Sequence, residues 1–201
     1  MRNGSIIEYD LATEETSTLM ESHNDGEVWG LDMNDSHVFS SGDDNQVKMW
    51  DPFERKCVAT AIVNEKTRKA SKNKASTLGK HPESQASRAI AIGSNGHIAV
   101  GANDGSVTIR SMDDFATTTQ ELTDNGQWIE TMEYSPDGAY LAVGSHDTDI
   151  YIYETDGYTL ATKCKEHNAA ITCIDWSMDG TYLKSVCNAY ELLYFNMPDG
   201  N

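Results

Sequence analysis

Short apolar runs separated by polar turns recur along the chain, and the same order of runs returns four times. The first unit reads Val28-Trp29-Gly30-Leu31-Asp32-Met33, then His37-Val38-Phe39-Ser40-Ser41-Gly42, then Gln46-Val47-Lys48-Met49-Trp50-Asp51. Corresponding triplets occupy residues 87–92, 97–101 and 106–110, then 129–134, 140–145 and 149–154, then 171–176, 182–187 and 191–196. Helical periodicity is hard to find; the runs have strand length. The middle runs are nearly continuous and apolar, which predicts packing on both faces. The third runs alternate, with Val47 and Met49, or Ile150 and Ile152, on one face. Asn95-Gly96, Asp137-Gly138 and Asp179-Gly180 join first to second runs and Asp104-Gly105 joins second to third, pairs that tolerate the positive φ of a tight hairpin. Gly42, Gly101, Gly144 and Ser185 take equivalent places, 59, 43 and 41 residues apart. A period of about 40–45 residues with several short strands per unit predicts an all-β fold, a β-propeller.

The expected blades are 23–63, 87–122, 127–165 and 167–196, with an insertion at 64–80. Residues 1–10 read as the end of a preceding blade, with Tyr9-Asp10 standing where Trp50-Asp51 stands later. The chain therefore starts inside a blade, which suggests that Met1 is not a natural start. About four blades plus a remnant strand are fewer than a closed ring usually has. The expectation is part of a larger propeller, or one completed by a second copy through exposed edge strands.

Charge narrows the partners. With 15 basic against 32 acidic residues the net charge is −17. Neutralising phosphates needs Lys and Arg, so neither a general nucleic-acid binder nor a binder of anionic membranes is expected. No run approaches the roughly 18 apolar residues of a spanning helix, and the first ten residues lack the apolar core of a secretory signal. The basic residues cluster: Lys66, Arg68, Lys69, Lys72, Lys74 and Lys80 fall in the insertion beside one acid, Glu65. Two readings stay open, a solvated loop and a loop steered onto an acidic protein surface.

Candidate chemistry is thin. Cys57, Cys164, Cys173 and Cys187 form no Cys-x-x-Cys pair, and Cys173 and Cys187 fall in runs that read as buried strands. A small apolar role in a reducing compartment is expected, and no metal or cofactor. His146-Asp147 could seed an acid–base or metal site, or simply shape a turn. No Gly-x-Ser-x-Gly, phosphate-binding Gly-Lys loop or His-Glu-x-x-His occurs, so no catalytic residue is expected. Trp29, Arg88, Glu130 and Thr172 share one position, just inside the first strand of each unit. They are the candidate partner-binding residues on the rim, although Trp29 could instead pack in a central channel.

The repeats resemble the WD-repeat superfamily, in which a His, a Ser or Thr, an Asp and a Trp hydrogen-bond across a blade. His23, Ser40, Asp44 and Trp50 match that structural tetrad. The second unit keeps Asp104 but has Arg110 at the Trp position. The third keeps Asp147 and has Tyr153. The fourth keeps His167, with Ala189 for the Asp and Phe195 for the Trp. More specifically, Glu27-Val28-Trp29-Gly30-Leu31, the Gly144-Ser145-His146-Asp147 to Ile150-Tyr151-Ile152-Tyr153 run, Ile174-Asp175-Trp176-Ser177-Met178-Asp179-Gly180 and Tyr190-Glu191-Leu192-Leu193-Tyr194 resemble the echinoderm microtubule-associated protein-like family. The resemblance implies a cytoplasmic, cytoskeletal, non-enzymatic interaction module that binds tubulin or microtubule-linked proteins. It also implies an internal slice of a protein with two fused propellers behind a basic, oligomerising region. Two alternatives stay open: a generic scaffold for signalling or ciliary complexes, and an enzyme built on a propeller, since propellers host many functions.

Overall fold

The described part of the chain, residues 6–20, 22–23, 26–63 and 86–201 of a computed structural model, is built from antiparallel strands joined by short turns. Strands β1 (Ile6–Tyr9) and β2 (Thr16–Met20) make a two-stranded ribbon. Three four-stranded meanders follow. The first holds β3 (Val28–Met33), β4 (Val38–Gly42), β5 (Gln46–Asp51) and β6 (Lys56–Ile62). The second holds β7 (Ser87–Ile92), β8 (His97–Ala102), β9 (Val107–Ser111) and β10 (Thr118–Leu122). The third holds β11 (Ile129–Tyr134), β12 (Tyr140–Ser145), β13 (Ile150–Glu154) and β14 (Thr159–Cys164). A three-stranded sheet of β15 (Ile171–Trp176), β16 (Tyr182–Cys187) and β17 (Leu192–Asn196) completes the series. The leading strands lie side by side, β3 against β7, β7 against β11 and β11 against β15. These are successive blades of a β-propeller. Residues 64–80, with the six basic side chains of the insertion, lie outside the described residues.

The core lies between blades rather than within them. Phe39 and Val47 of the first full blade pack with Ile90, Ile98 and Val100 of the next. Ala99, Val107 and Ile109 pack with Ile129, Leu141 and Val143. Ala142, Ile150 and Ile152 pack with Ile171, Ile174 and Leu183. Each fully buried aliphatic side chain contributes about 1.5–3 kcal/mol. The middle strands β8 and β12 are therefore largely apolar on both faces. Two third strands, β9 and β13, go further than alternation predicts: β13 buries Ile150, Tyr151, Ile152 and Tyr153 alike, because blades cover both of its faces. Cys187 is buried but Cys173 is exposed, contrary to the sequence reading, because its side of β15 carries no further blade.

Register refines the repeat. Val28 pairs with Gly42, Ser87 with Ala102, Ile129 with Ser145 and Ile171 with Cys187. Gly42 thus corresponds to Ala102, Ser145 and Cys187, not to Gly101, Gly144 and Ser185. Gly101 has a different duty. A Cβ there would stand 2.5 Å from Ile129 Cγ2 in the next blade, so the absent side chain is what lets the blades close.

Carboxylates also bind successive blades. Asp32 on β3 accepts the Ile92 N–H at 2.7 Å, and Glu133, at the matching place on β11, accepts the Trp176 N–H at 3.1 Å. The Trp176 indole donates to the Glu133 carbonyl at 3.2 Å. Burial pushes Glu133 from 4.5 up to about 7, aided by Asp175 and Asp32 and opposed by the Trp176 N–H and Lys184. Its folded value lies above the unfolded one. Its contribution to stability is therefore complete below about pH 4.5 and is lost as pH rises through about 7. Glu133→Gln is expected to remove about 1–3 kcal/mol of that pH dependence, read by urea unfolding at about pH 5 and about pH 8. A variant with the wild-type pH profile would show that Glu133 is not the titrating group.

Candidate functional site

Each blade solves the same local problem, how to tie the segment before its first strand to its middle strands, with different residues. In the first full blade the four residues named from the sequence meet. His23 Nδ1 lies 2.9 Å from Asp44 Oδ1, His23 Nε2 lies 2.8 Å from Ser40 Oγ, and the Trp50 indole donates to the same hydroxyl at 2.8 Å. A carboxylate only accepts, so Nδ1 carries the proton and Nε2 takes the Ser40 hydroxyl. In the third blade Tyr153 donates instead to Asp124 at 3.1 Å. Asp147 accepts from the Tyr151 hydroxyl at 2.8 Å and from the Gly126 N–H at 3.0 Å. Burial alone would raise the Asp147 carboxyl, but its donors Gly126, Tyr151, Asp149 and Ser145 outweigh that and hold it low.

In the second blade Arg110 fills the Trp place, almost wholly buried. One terminal nitrogen donates to the carbonyls of Phe115 and Ala116 at 3.1 and 2.8 Å, the other to those of Ile62 and Val63 at 2.6 and 3.3 Å. The last two lie at the end of β6 and just after it, so the side chain fastens one blade to the next.

The rim carries a second constellation. Arg88 lies between two indoles, its guanidinium carbon 4.2 Å from the Trp29 ring centre and 4.5 Å from that of Trp128. Cation–π contacts of this kind contribute about 0.5–1 kcal/mol each where exposed. Every member is held. Trp29 Nε1 donates to Asp43 at 2.9 Å and Arg88 Nε donates to Asn103 at 2.7 Å. The Trp128 ring lies 5.2 Å from that of His146, whose Nε2 lies 3.2 Å from Glu130 Oε2. Trp29 and Trp128 are 43% and 38% exposed, so large aromatic surface faces outward from a fixed frame. The array spans three consecutive blades.

Of the four rim residues named from sequence, the structure groups Trp29, Arg88 and Glu130. Trp29 is 43% exposed and packs against Arg88 of the next blade. Thr172 is exposed on its own blade and donates to the Val186 carbonyl at 3.1 Å. Trp128 and His146 are the members that sequence reasoning missed. Trp128 sits one residue before β11, a position whose counterparts are Glu27 and Ala86, so no repeat pattern marks it. His146 and Asp147 do not act as a pair, since their side chains turn to different partners.

Comparison with known proteins places this architecture. Residues 28–201 match the profile described as the echinoderm microtubule-associated protein second beta-propeller. The chain is 46% identical over 203 residues, 99% of its length and 28% of the relative's, to the ciliary WD repeat-containing protein ctxp80 of Euplotoides octocarinatus. It is 32% identical over 193 residues, 91% of its length and 21% of the relative's, to echinoderm microtubule-associated protein-like 1 of Rattus norvegicus. To the 77 kDa echinoderm microtubule-associated protein of Strongylocentrotus purpuratus it is 31% identical, over 90% of its length and 24% of the relative's. It thus spans under a third of the length of these relatives. Four WD-type blades in series and a match over residues 28–201 lead to one conclusion: the chain belongs to the echinoderm microtubule-associated protein family of WD-repeat β-propellers.

Proposed function

We propose that the chain is a non-enzymatic protein-interaction module of a cytoskeletal protein, and that its contact face is the rim built by Trp29, Arg88, Trp128, His146 and Glu130. The observation that carries this reading is the Arg88 guanidinium held between two exposed indoles across blade boundaries. Arg, Trp and Tyr dominate binding energy at protein interfaces, above all when they are fixed before binding. Among the described residues no acceptor meets the two terminal nitrogens of Arg88, which leaves them for a carboxylate or carbonyl of a partner.

The names of the relatives make tubulin or a microtubule-linked protein the partner of first choice. The acidic balance of the chain opposes long-range attraction to an acidic filament, so the contact is local. The Lys66, Arg68, Lys69, Lys72, Lys74 and Lys80 cluster is a second, separable contact for the same acidic partner. Thr172 is a peripheral rim residue in this scheme. Self-association through the outer strands is a further contact to be excluded by sedimentation of the chain alone.

A scaffold for ciliary complexes without direct tubulin contact is the alternative, favoured by the ciliary name of the 46% relative. Arg88→Ala and Trp128→Ala are expected to weaken partner binding about 30-fold or more while unfolding stays within about 1 kcal/mol of wild type. Calorimetry against tubulin checks the first part and thermal unfolding the second. Wild-type affinity in both variants would remove the rim from the account, leaving neutralisation of the six basic residues as the next test.

A further inference from the structure

The fourth blade keeps the histidine of the tetrad and loses two of its partners. Ala189 stands where Asp44 stands in the first full blade, and Phe195 where Trp50 stands. His167 is buried, and its Nε2 lies 2.7 Å from Ser185 Oγ, as His23 Nε2 lies 2.8 Å from Ser40 Oγ. The other ring nitrogen differs. His23 Nδ1 is bonded to its aspartate, whereas the buried His167 Nδ1 has no hydrogen-bond partner. It faces Glu191 Oε2 at 3.5 Å and Cys187, whose thiol lies 3.4 Å from the same oxygen. Imidazole nitrogen, thiol sulfur and carboxylate oxygen all lie within 4.8 Å of one another.

The exchange of Trp for Phe removes one donor from the site. Ser40 Oγ receives the Trp50 indole N–H and lies against His23 Nε2. Phe195 offers no donor; its ring lies edge-on to His167 at 6.2 Å. Ser185 Oγ lacks the indole donor that Ser40 has, and it can accept from Nε2 or donate to it. His167 Nδ1 and Glu191 Oε2 face each other at 3.5 Å without a hydrogen bond, and either a proton on Nδ1 or a cation between them satisfies the pair. Asn168 fixes the carboxylate from outside, through its side-chain amide at 3.0 Å and its backbone N–H at 3.2 Å.

We propose that His167 Nδ1, Cys187 Sγ and Glu191 bind one zinc ion, which ties the segment before β15 to the β16–β17 turn where the tetrad is incomplete. Zinc bonds of about 2.0–2.3 Å at tetrahedral angles set ligand atoms about 3.3–3.8 Å apart, and the 3.4 and 3.5 Å separations to Glu191 fall in that range. Nitrogen, sulfur and oxygen donors together suit zinc, and water supplies the fourth position through the partly exposed Glu191 side. Ser185 and Asn168 act as the outer partners that orient a zinc ligand. Binding releases the thiol proton to solvent and leaves a thiolate on the metal.

The test is titration of the full chain with Co(II), followed by near-ultraviolet and visible absorption. The expected result is one equivalent of tetrahedral Co(II) with a thiolate charge-transfer band, displaced by Zn(II), together with a melting temperature raised by Zn(II) and lowered again by chelation. Cys187→Ser is expected to abolish the band, and Cys173→Ser, in an exposed thiol, to leave it intact. Should Cys187→Ser fail to fold by circular dichroism, Glu191→Gln is read instead and is expected to weaken Co(II) binding at least about tenfold. A wild-type chain that gives no such band, a band that survives Cys187→Ser, or unchanged affinity in Glu191→Gln overturns the proposal. In those cases a proton, not a metal, lies between His167 and Glu191.

Discussion

Arg110→Ala is expected to destabilise the chain by about 3–5 kcal/mol, the largest effect of any single substitution considered. The guanidinium reaches four carbonyls, those of Phe115 and Ala116 in its own blade and of Ile62 and Val63 in the preceding one. Alanine would leave the buried carbonyls of Phe115 and Val63, and the part-buried ones of Ala116 and Ile62, without this donor. Each buried acceptor left unpaired costs about 1–3 kcal/mol, and the packing of the side-chain stem is lost as well. Arg110→Lys is expected to recover less than half of the loss, because an ammonium on a single stem cannot address two pairs of carbonyls as a planar fork does. Urea unfolding of the three proteins checks this. A cost under about 1 kcal/mol for alanine would show that the blades hold together without the rivet.

Gly101→Val is expected to be nearly as damaging, at about 3 kcal/mol, with Gly101→Ala at about 1–3 kcal/mol. The new Cβ would approach Ile129 Cγ2 to 2.5 Å and Ile129 Cβ to 2.7 Å. A branch atom attached to the backbone cannot swing aside as the tip of a lysine can. The blades must therefore separate, and Ile129, which is fully buried, would lose contacts with them. Two controls isolate the mechanism. Ile129→Ala combined with Gly101→Ala is expected to cost less than the sum of the singles, because the cavity accepts the methyl group. At Gly126 the nearest atom to an added Cβ is Asp147 Oδ2 at 3.7 Å, an ordinary contact, so Gly126→Ala is expected to be neutral within about 0.5 kcal/mol. Thermal unfolding reads all of these. Wild-type stability in Gly101→Val would contradict the closeness of the blades at this point.

The sequence made the fold legible where physics leaves a periodic trace. Runs buried on both faces, such as β8 and β12, are nearly continuous and apolar. The tight turns need residues that accept positive φ, as Gly138 does at 72°. The outer strands left no such trace. β10 reads Thr-Thr-Gln-Glu-Leu with four exposed residues, so neither alternation nor hydrophobicity separates it from a loop, and only pairing with β9 defines it. Arg110 reads as a missing tryptophan because two of its partners come from carbonyls 47 and 48 residues earlier, and carbonyls have no sequence signature. Cysteine spacing argued against a metal, yet His167, Cys187 and Glu191 converge because register places the end of β16 beside the start of β15.

The rim was half legible for a related reason. Trp29, Arg88 and Glu130 occupy one repeat position, so reading down the repeat finds them together. Trp128 enters from the preceding turn and completes the sandwich from the neighbouring blade, which a single sequence does not announce.

The most direct test of the central claim is co-sedimentation of the purified chain with soluble tubulin and with polymerised microtubules at low and moderate salt, beside Arg88→Ala. The wild-type chain is expected to bind at least one form, weakened by salt in proportion to the ionic part of the contact, and a folded Arg88→Ala protein is expected to lose that binding. A folded wild-type chain that sediments with neither form would contradict a tubulin-binding rim and leave the chain as a scaffold for other partners.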